Sequence, residues 1–196
     1  MEAPQKAQKM KKSSYIFMLI AGILLFLLSY IFDRQAGLFF GGIGFPAFDA
    51  VLSIASNFGV VVFVSLIIPS IILYRKNKKP VYLLWLSFVV SIASAFIIKL
   101  TVLRPRPAEA FTYPFVSITN YSFPSMHAMA VFSLLPLLIK YLPRQKHFWV
   151  VFAFLVSFSR IYFGFHFLSD VVFGALFGYF IGICLLELHK KRKLWK

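Results

Sequence analysis

The sequence has almost no cysteine. Cys184 stands alone in 196 residues, within an apolar run, which excludes disulfides and Cys-based metal sites and makes the thiol a core residue. Acidic residues are nearly as scarce, six against 21 lysines and arginines, for a net charge of +15. Such an excess can signal nucleic acid. Here the basic residues form short clusters between apolar runs, as topogenic loops do, so nucleic-acid binding is set aside. The strict apolar–polar alternation of a membrane β-barrel is missing as well. The apolar stretch from Tyr15 to Phe32 is longer than a signal-peptide core and has no clear small-residue cleavage site, so it reads as a retained first helix.

What is present is apolar: 60% of residues are hydrophobic, and 25 are phenylalanine. The expected fold class is all-α, a polytopic bundle of six transmembrane helices that takes up residues 1–196 as a single domain and leaves no room for a soluble one. The expected spans are 15–32, 51–74, 81–100, 125–142, 147–164 and 167–188, with 1–14 a basic tail. Sixteen of the 21 basic residues fall on one side, in the tail, at 75–79, at 140–146 and at 190–196. The positive-inside rule therefore places both termini in the cytoplasm and the polar motifs outside, in a cell membrane. The connection 33–50, with Gly41-Gly42-Ile43-Gly44-Phe45-Pro46, is either a re-entrant or interfacial turn shielding the site or a plain connector.

Three clusters on the outward side carry the polar chemistry. Lys99 and Arg106-Pro107 end the third span, Pro124-Ser125-Met126-His127 opens the fourth, and Ser159-Arg160 with His166 and Asp170 bridges the fifth and sixth. Charged groups in an apolar segment are costly, which marks them as functional. His166 and Asp170 are four apart, so on a helix they share a face and the carboxylate can hold one imidazole nitrogen, leaving the other as base, ligand or nucleophile. Lys99, Arg106 and Arg160 together call for a multiply charged anion, best a phosphate. Ser125 fits an N-cap, adding free N–H groups and the positive helix end. Counting ~1.5 Å per residue from the cytoplasmic charges puts Lys99 and Asp170 roughly 30 Å up, and His127 and Arg160 roughly 20 Å up, so the pocket is slightly sunk in the outer leaflet. Asp170 is followed at four-residue steps by Gly174, Gly178 and Gly182, and Lys99 is preceded by Ala95, Ser91 and Ser87; both faces are expected to turn into the bundle.

These clusters, in this order and spacing, resemble the signature of the type 2 phosphatidic acid phosphatase superfamily. The match spans 99–170. It departs at Met126, where the family usually has glycine, which bears on headgroup choice more than on the reaction. The resemblance implies metal-free, two-step phosphoryl transfer that hydrolyses a lipid phosphate or diphosphate. His166 would attack phosphorus, Asp170 would orient it, and His127 would protonate the leaving oxygen and then activate water. Lys99, Arg106, Ser125 and Arg160 would hold the phosphoryl oxygens. No cofactor is called for. The substrate expected is a polyprenyl diphosphate or phosphatidylglycerol phosphate type of lipid.

The rival readings are a lipid phosphotransferase using the same phosphohistidine, a non-catalytic anion or lipid transporter, and a phosphatase for soluble substrates. A metal held by His127, His166 and Asp170 is opposed by the three cations around it. Arg104 lies outside the strict motif, and an interfacial or lipid-phosphate contact is one reading of it. Asp49 and Glu109 face outward with no assigned role, His147 and His189 belong to the basic side, and the aromatic stretch 111–123 fits an interfacial belt. The oligomeric state is not legible.

Overall fold

The computed structural model describes residues 12–41, 46–107 and 121–192, and every regular element among them is helical. In chain order these are α1 (Lys12–Ile31), α2 (Asp33–Gly41), α3 (Pro46–Ser56), α4 (Phe58–Val62), a π-helical turn (Phe63–Ile67), α5 (Ile68–Tyr74), α6 (Lys78–Val102), α7 (Met126–Tyr141), a 3₁₀ turn (Pro143–Gln145), α8 (Lys146–Tyr162) and α9 (Leu168–Arg192). Glu109, most of the aromatic stretch 111–123, and the basic residues Lys6, Lys9, Lys11, Lys193 and Lys196 lie outside the described residues.

Local chemistry sets the ends of α6. Asn77 caps its start, its side chain accepting from the Lys79 N–H at 3.0 Å. At the other end Leu103 adopts a left-handed backbone (φ 52°) and donates to the Lys99 carbonyl at 3.1 Å, after which Pro105 and Pro107 prevent the helix from resuming. That hard stop puts Arg104 and Arg106 on extended chain just beyond the helix.

The apolar core is built around α7, whose residues from Ala128 to Leu138 are buried apart from a half-buried Phe132. A helix apolar on all sides belongs in the middle of a bundle. Leu66 and Leu73, Leu83 and Leu84, and Trp149, Ala153 and Val156 close on it from the π-helical turn and α5, α6 and α8. α9 packs closest. A Cβ at Gly174, Gly178 or Gly182 would lie 2.8, 2.4 and 2.4 Å from the carbonyl oxygens of Ser125, Met129 and Ser133, so only glycine permits this approach. On α6, Ser87, Ser91, Ala95 and Lys99 are all buried, and Ser87 donates to the Ser133 carbonyl at 2.8 Å. Both expected interior faces do turn inward.

The six expected spans each coincide with helical chain, with differences at the second. The apolar run 51–74 is not one helix. It breaks at Asn57, whose side chain accepts from Val60 N–H, and α3 meets the Phe58–Tyr74 segment at a 64° bend. The connection 33–50 is largely helical, with α2 bent 60° from α1. Among the described residues α6 and α9 are long and apolar enough to cross a membrane, and up to four spans result if each bent pair counts as one; α7 is a shorter apolar helix. α1 presents many apolar side chains outward, among them Phe17, Leu24 and Ile31, as a helix facing lipid would.

Candidate active site

The three motifs meet at one end of the bundle through backbone hydrogen bonds between them. Ser122 N–H donates to the Arg104 carbonyl at 2.8 Å and its hydroxyl to the Pro105 carbonyl at 2.9 Å, joining the first motif to the second. Ser125 N–H donates to the Asp170 carbonyl at 3.1 Å, joining the second to the third. His166 N–H donates to the Arg160 carbonyl at 3.1 Å across the turn between α8 and α9. Gly164 supplies the left-handed residue that turn requires, at φ 66°.

His166 is not on a helix with Asp170. It stands in the turn, and Asp170, in the first turn of α9, reaches back. Its Oδ2 accepts from the Phe167 N–H at 2.9 Å, as the third residue of a capped helix does, and lies 3.5 Å from His166 Nδ1. That second distance is longer than a formed hydrogen bond, which is common before a substrate tightens a site. The imidazole is 4% exposed. Burial, then the Arg160, Lys99 and Arg106 charges, holds it well below the usual histidine range.

Lys99 is buried and donates to the Tyr121 carbonyl at 2.5 Å and weakly to that of Ser122 at 3.4 Å, with Arg106, Asp170 and Arg160 as its charged neighbours. Arg106 donates to the Phe165 carbonyl at 2.7 Å. Arg160 donates to both the carbonyl and hydroxyl of Ser56, and its guanidinium lies 4.3 Å from the centre of the Phe165 ring. Ser125 occupies the N-cap position of α7 without a capping bond from its side chain, and its buried hydroxyl has no partner among the described residues. His127 sits edge-on to Phe58, with ring centres 4.9 Å apart and the Ser56 backbone in hydrogen-bond contact; its Nε2 is buried and unpartnered among the described residues.

Two cavities open on this cluster. His166 and Arg106 line one of about 540 Å³ together with Asp33, Arg34 and Phe163. His127 and Arg160 line the other, about 400 Å³, with Ser56, Phe163 and Phe165. Unpartnered polar atoms beside guanidinium groups suit a phosphoryl group, which needs donors on several oxygens at once. Among the described residues no three His, Cys, Asp or Glu side chains are grouped as metal ligands.

Sequence reading did not foresee the contacts of three residues around this cluster. Arg104 does not reach outward to an interface. It donates to Asp170 Oδ1 and Asp33 Oδ2, both at 2.7 Å, so its guanidinium is turned into the protein. Asp33 is 71 residues away from it, and no local pattern marks that partnership. Asp49 accepts a short hydrogen bond from the Tyr162 hydroxyl, tying α3 to the end of α8. Thus α2 and α3 wall the site through Asp33, Asp49 and Ser56.

The model of the PAP2 superfamily matches residues 80–194. The chain is 33% identical over 169 residues to a lipid A 4'-phosphatase of Bacteroides thetaiotaomicron, covering 76% of this chain and 73% of that protein. It is 30% identical over 125 residues to an undecaprenyl-diphosphatase of Sulfolobus acidocaldarius, covering 60% of this chain and 59% of that protein. A PAP2-type phosphatidylglycerolphosphate phosphatase from Bacillus subtilis shares the fold with a TM-score of 0.68 at 24% identity, over 94% of this chain and 98% of that one. Aquifex aeolicus LpxE superposes with a TM-score of 0.67 at 25% identity, over 79% of this chain and 94% of that one. With more than half of its length matched by the family model and the family's three motifs gathered at one end of its bundle, the chain belongs to the PAP2 superfamily, the membrane lipid phosphatases of which these relatives are examples.

Proposed function

We propose that the chain is a metal-independent phosphatase that removes the phosphate monoester or terminal phosphate of a lipid phosphate or diphosphate, of polyprenyl diphosphate or phosphatidylglycerol phosphate type, at the outer leaflet. The observation that carries the reading is the placement of His166. It lines the larger cavity beside Arg106, with its Nδ1 turned to an Asp170 carboxylate that two other donors hold in place.

With Nδ1 facing Asp170, Nε2 is the attacking nitrogen. It forms a bond to phosphorus as the bond from phosphorus to the lipid oxygen breaks, and His127 gives that oxygen a proton. His127 then takes a proton from water, whose oxygen displaces His166 and releases inorganic phosphate. Lys99, Arg106, Arg160 and the Ser125 hydroxyl and helix end hold the phosphoryl oxygens while charge spreads over them. The names of the relatives support a lipid substrate. Six crossings with cytoplasmic termini would put the motifs outside, which the basic clusters at 75–79 and 140–146 on the opposite end support.

The test is phosphate release by purified protein in detergent with excess EDTA, offering a polyprenyl diphosphate and a phosphatidyl phosphate in parallel. EDTA-resistant release that His166→Ala abolishes is the expected result. Activity removed by EDTA, or surviving in the variant, would overturn it, and release only in the presence of an alcohol acceptor would make the chain a transferase.

A further inference from the structure

Asp170 is buried completely, and each of its oxygens is engaged: Oδ2 by the Phe167 N–H at 2.9 Å, Oδ1 by Arg104 at 2.7 Å. Arg104 is itself gripped from the other side. Its second terminal nitrogen donates to Asp33 Oδ2 at 2.7 Å, its first also donates to the Ser169 hydroxyl at 2.8 Å, and its guanidinium lies 4.0 Å from the centre of the Phe167 ring. Asp33 is fixed in turn, accepting from Ser169 N–H at 2.8 Å and Ser169 Oγ at 2.6 Å. One guanidinium thus stands between two buried carboxylates. A planar fork presents two separate nitrogens to two acceptors in a fixed geometry, where a lysine offers a single nitrogen.

We propose that Arg104 is a positioning residue for the phosphatase reaction: clamped by Asp33 of α2, it sets the Asp170 carboxylate against His166. Arg104 lines neither cavity and is distinct from Lys99, Arg106 and Arg160. Without it, Asp33 and Asp170 would be left as two neighbouring buried carboxylates with no cation between them. Asp170 would turn away from the imidazole or take up a proton, and either change withdraws it from His166. The cations expected to hold phosphate would stay in place, so the loss should fall on turnover and not on binding. The inference rests on the proposed His166 chemistry.

The experiment compares the native chain with R104Q, D33N, the double variant D33N/R104Q and, as a reference, H166A, in detergent with the better lipid phosphate. Melting of each variant is followed in parallel. The expected result is a kcat lowered about 10- to 100-fold in R104Q, the range seen when a group that orients a site residue is removed, with KM within about threefold. D33N should lose less. The double variant should recover at least fivefold over R104Q, because the second uncompensated carboxylate is gone. If R104Q does not hold its fold, R104K carries the same test, keeping the charge without the fork. A raised KM at unchanged kcat would make Arg104 a substrate contact. A double variant no better than R104Q, or a melting loss with kcat intact, would reduce the cluster to a packing role. Any of these overturns the proposal while H166A still reports on the chemistry. A native chain that releases no phosphate overturns the chemistry itself.

Discussion

Gly178 of α9 lies so close to Met129 of α7 that a Cβ there would come within 2.4 Å of the Met129 carbonyl oxygen. The atom in the way is backbone, which cannot swing aside as a side chain can. Gly178→Ala should therefore force the two helices apart and destabilise the protein by about 1–3 kcal/mol or more. Gly22→Ala is the control, since its Cβ would meet only Leu176 methyls at an ordinary 3.7 Å. Thermal melting in detergent checks the pair, and equal melting of the two variants would refute the claim of close approach.

Lys99 does two things at once, bonding the Tyr121 carbonyl and standing near Arg106 and Arg160. Lys99→Met should leave a partly buried carbonyl without its donor, costing about 1–3 kcal/mol, and also lower kcat/KM by about a hundredfold or more. A variant that loses activity while melting like the native chain would show that the hydrogen bond to Tyr121 contributes nothing.

His127 acts in both halves of the proposed cycle, and leaving-group quality can separate them. With a lipid alcohol as leaving group, His127→Ala should slow kcat/KM by about 10² to 10⁴. With an aryl phosphate, whose phenolate leaves unprotonated, the first half should survive and the phosphorylated enzyme should accumulate. Protein quenched in alkaline detergent and probed for acid-labile, base-stable phosphate reads this directly. Equal losses with both substrates would assign His127 some other task.

The orientation can be tested because only Cys184 needs removing. In a Cys184→Ser background, Arg34→Cys should react with a membrane-impermeant maleimide in intact cells, and Lys76→Cys only after lysis. Both sites are exposed. The opposite pattern would turn the site to the cytoplasm.

Much of this was legible because the signals are periodic and local. Ser87, Ser91, Ala95 and Lys99 repeat at one helical step, as do Asp170, Gly174, Gly178 and Gly182, and both rows are interior. The meeting of the three motifs followed from their charge. The break at Asn57 did not show, because a single capping side chain interrupts a run whose hydropathy is otherwise continuous. Neither did the Asp33–Arg104–Asp170 cluster, since it joins residues 71 and 66 positions apart and one charged residue in an apolar sequence does not announce its partner.

Phe163 lines both cavities, so His166 and His127 face separate openings with a shared aromatic wall. A two-chambered site has an order to its traffic. On the proposed mechanism the alcohol would leave and water arrive on the His127 side, while freed phosphate would depart past His166 on the other. Product inhibition should then differ in kind for the two products, with the alcohol obstructing water and the phosphate obstructing the next lipid.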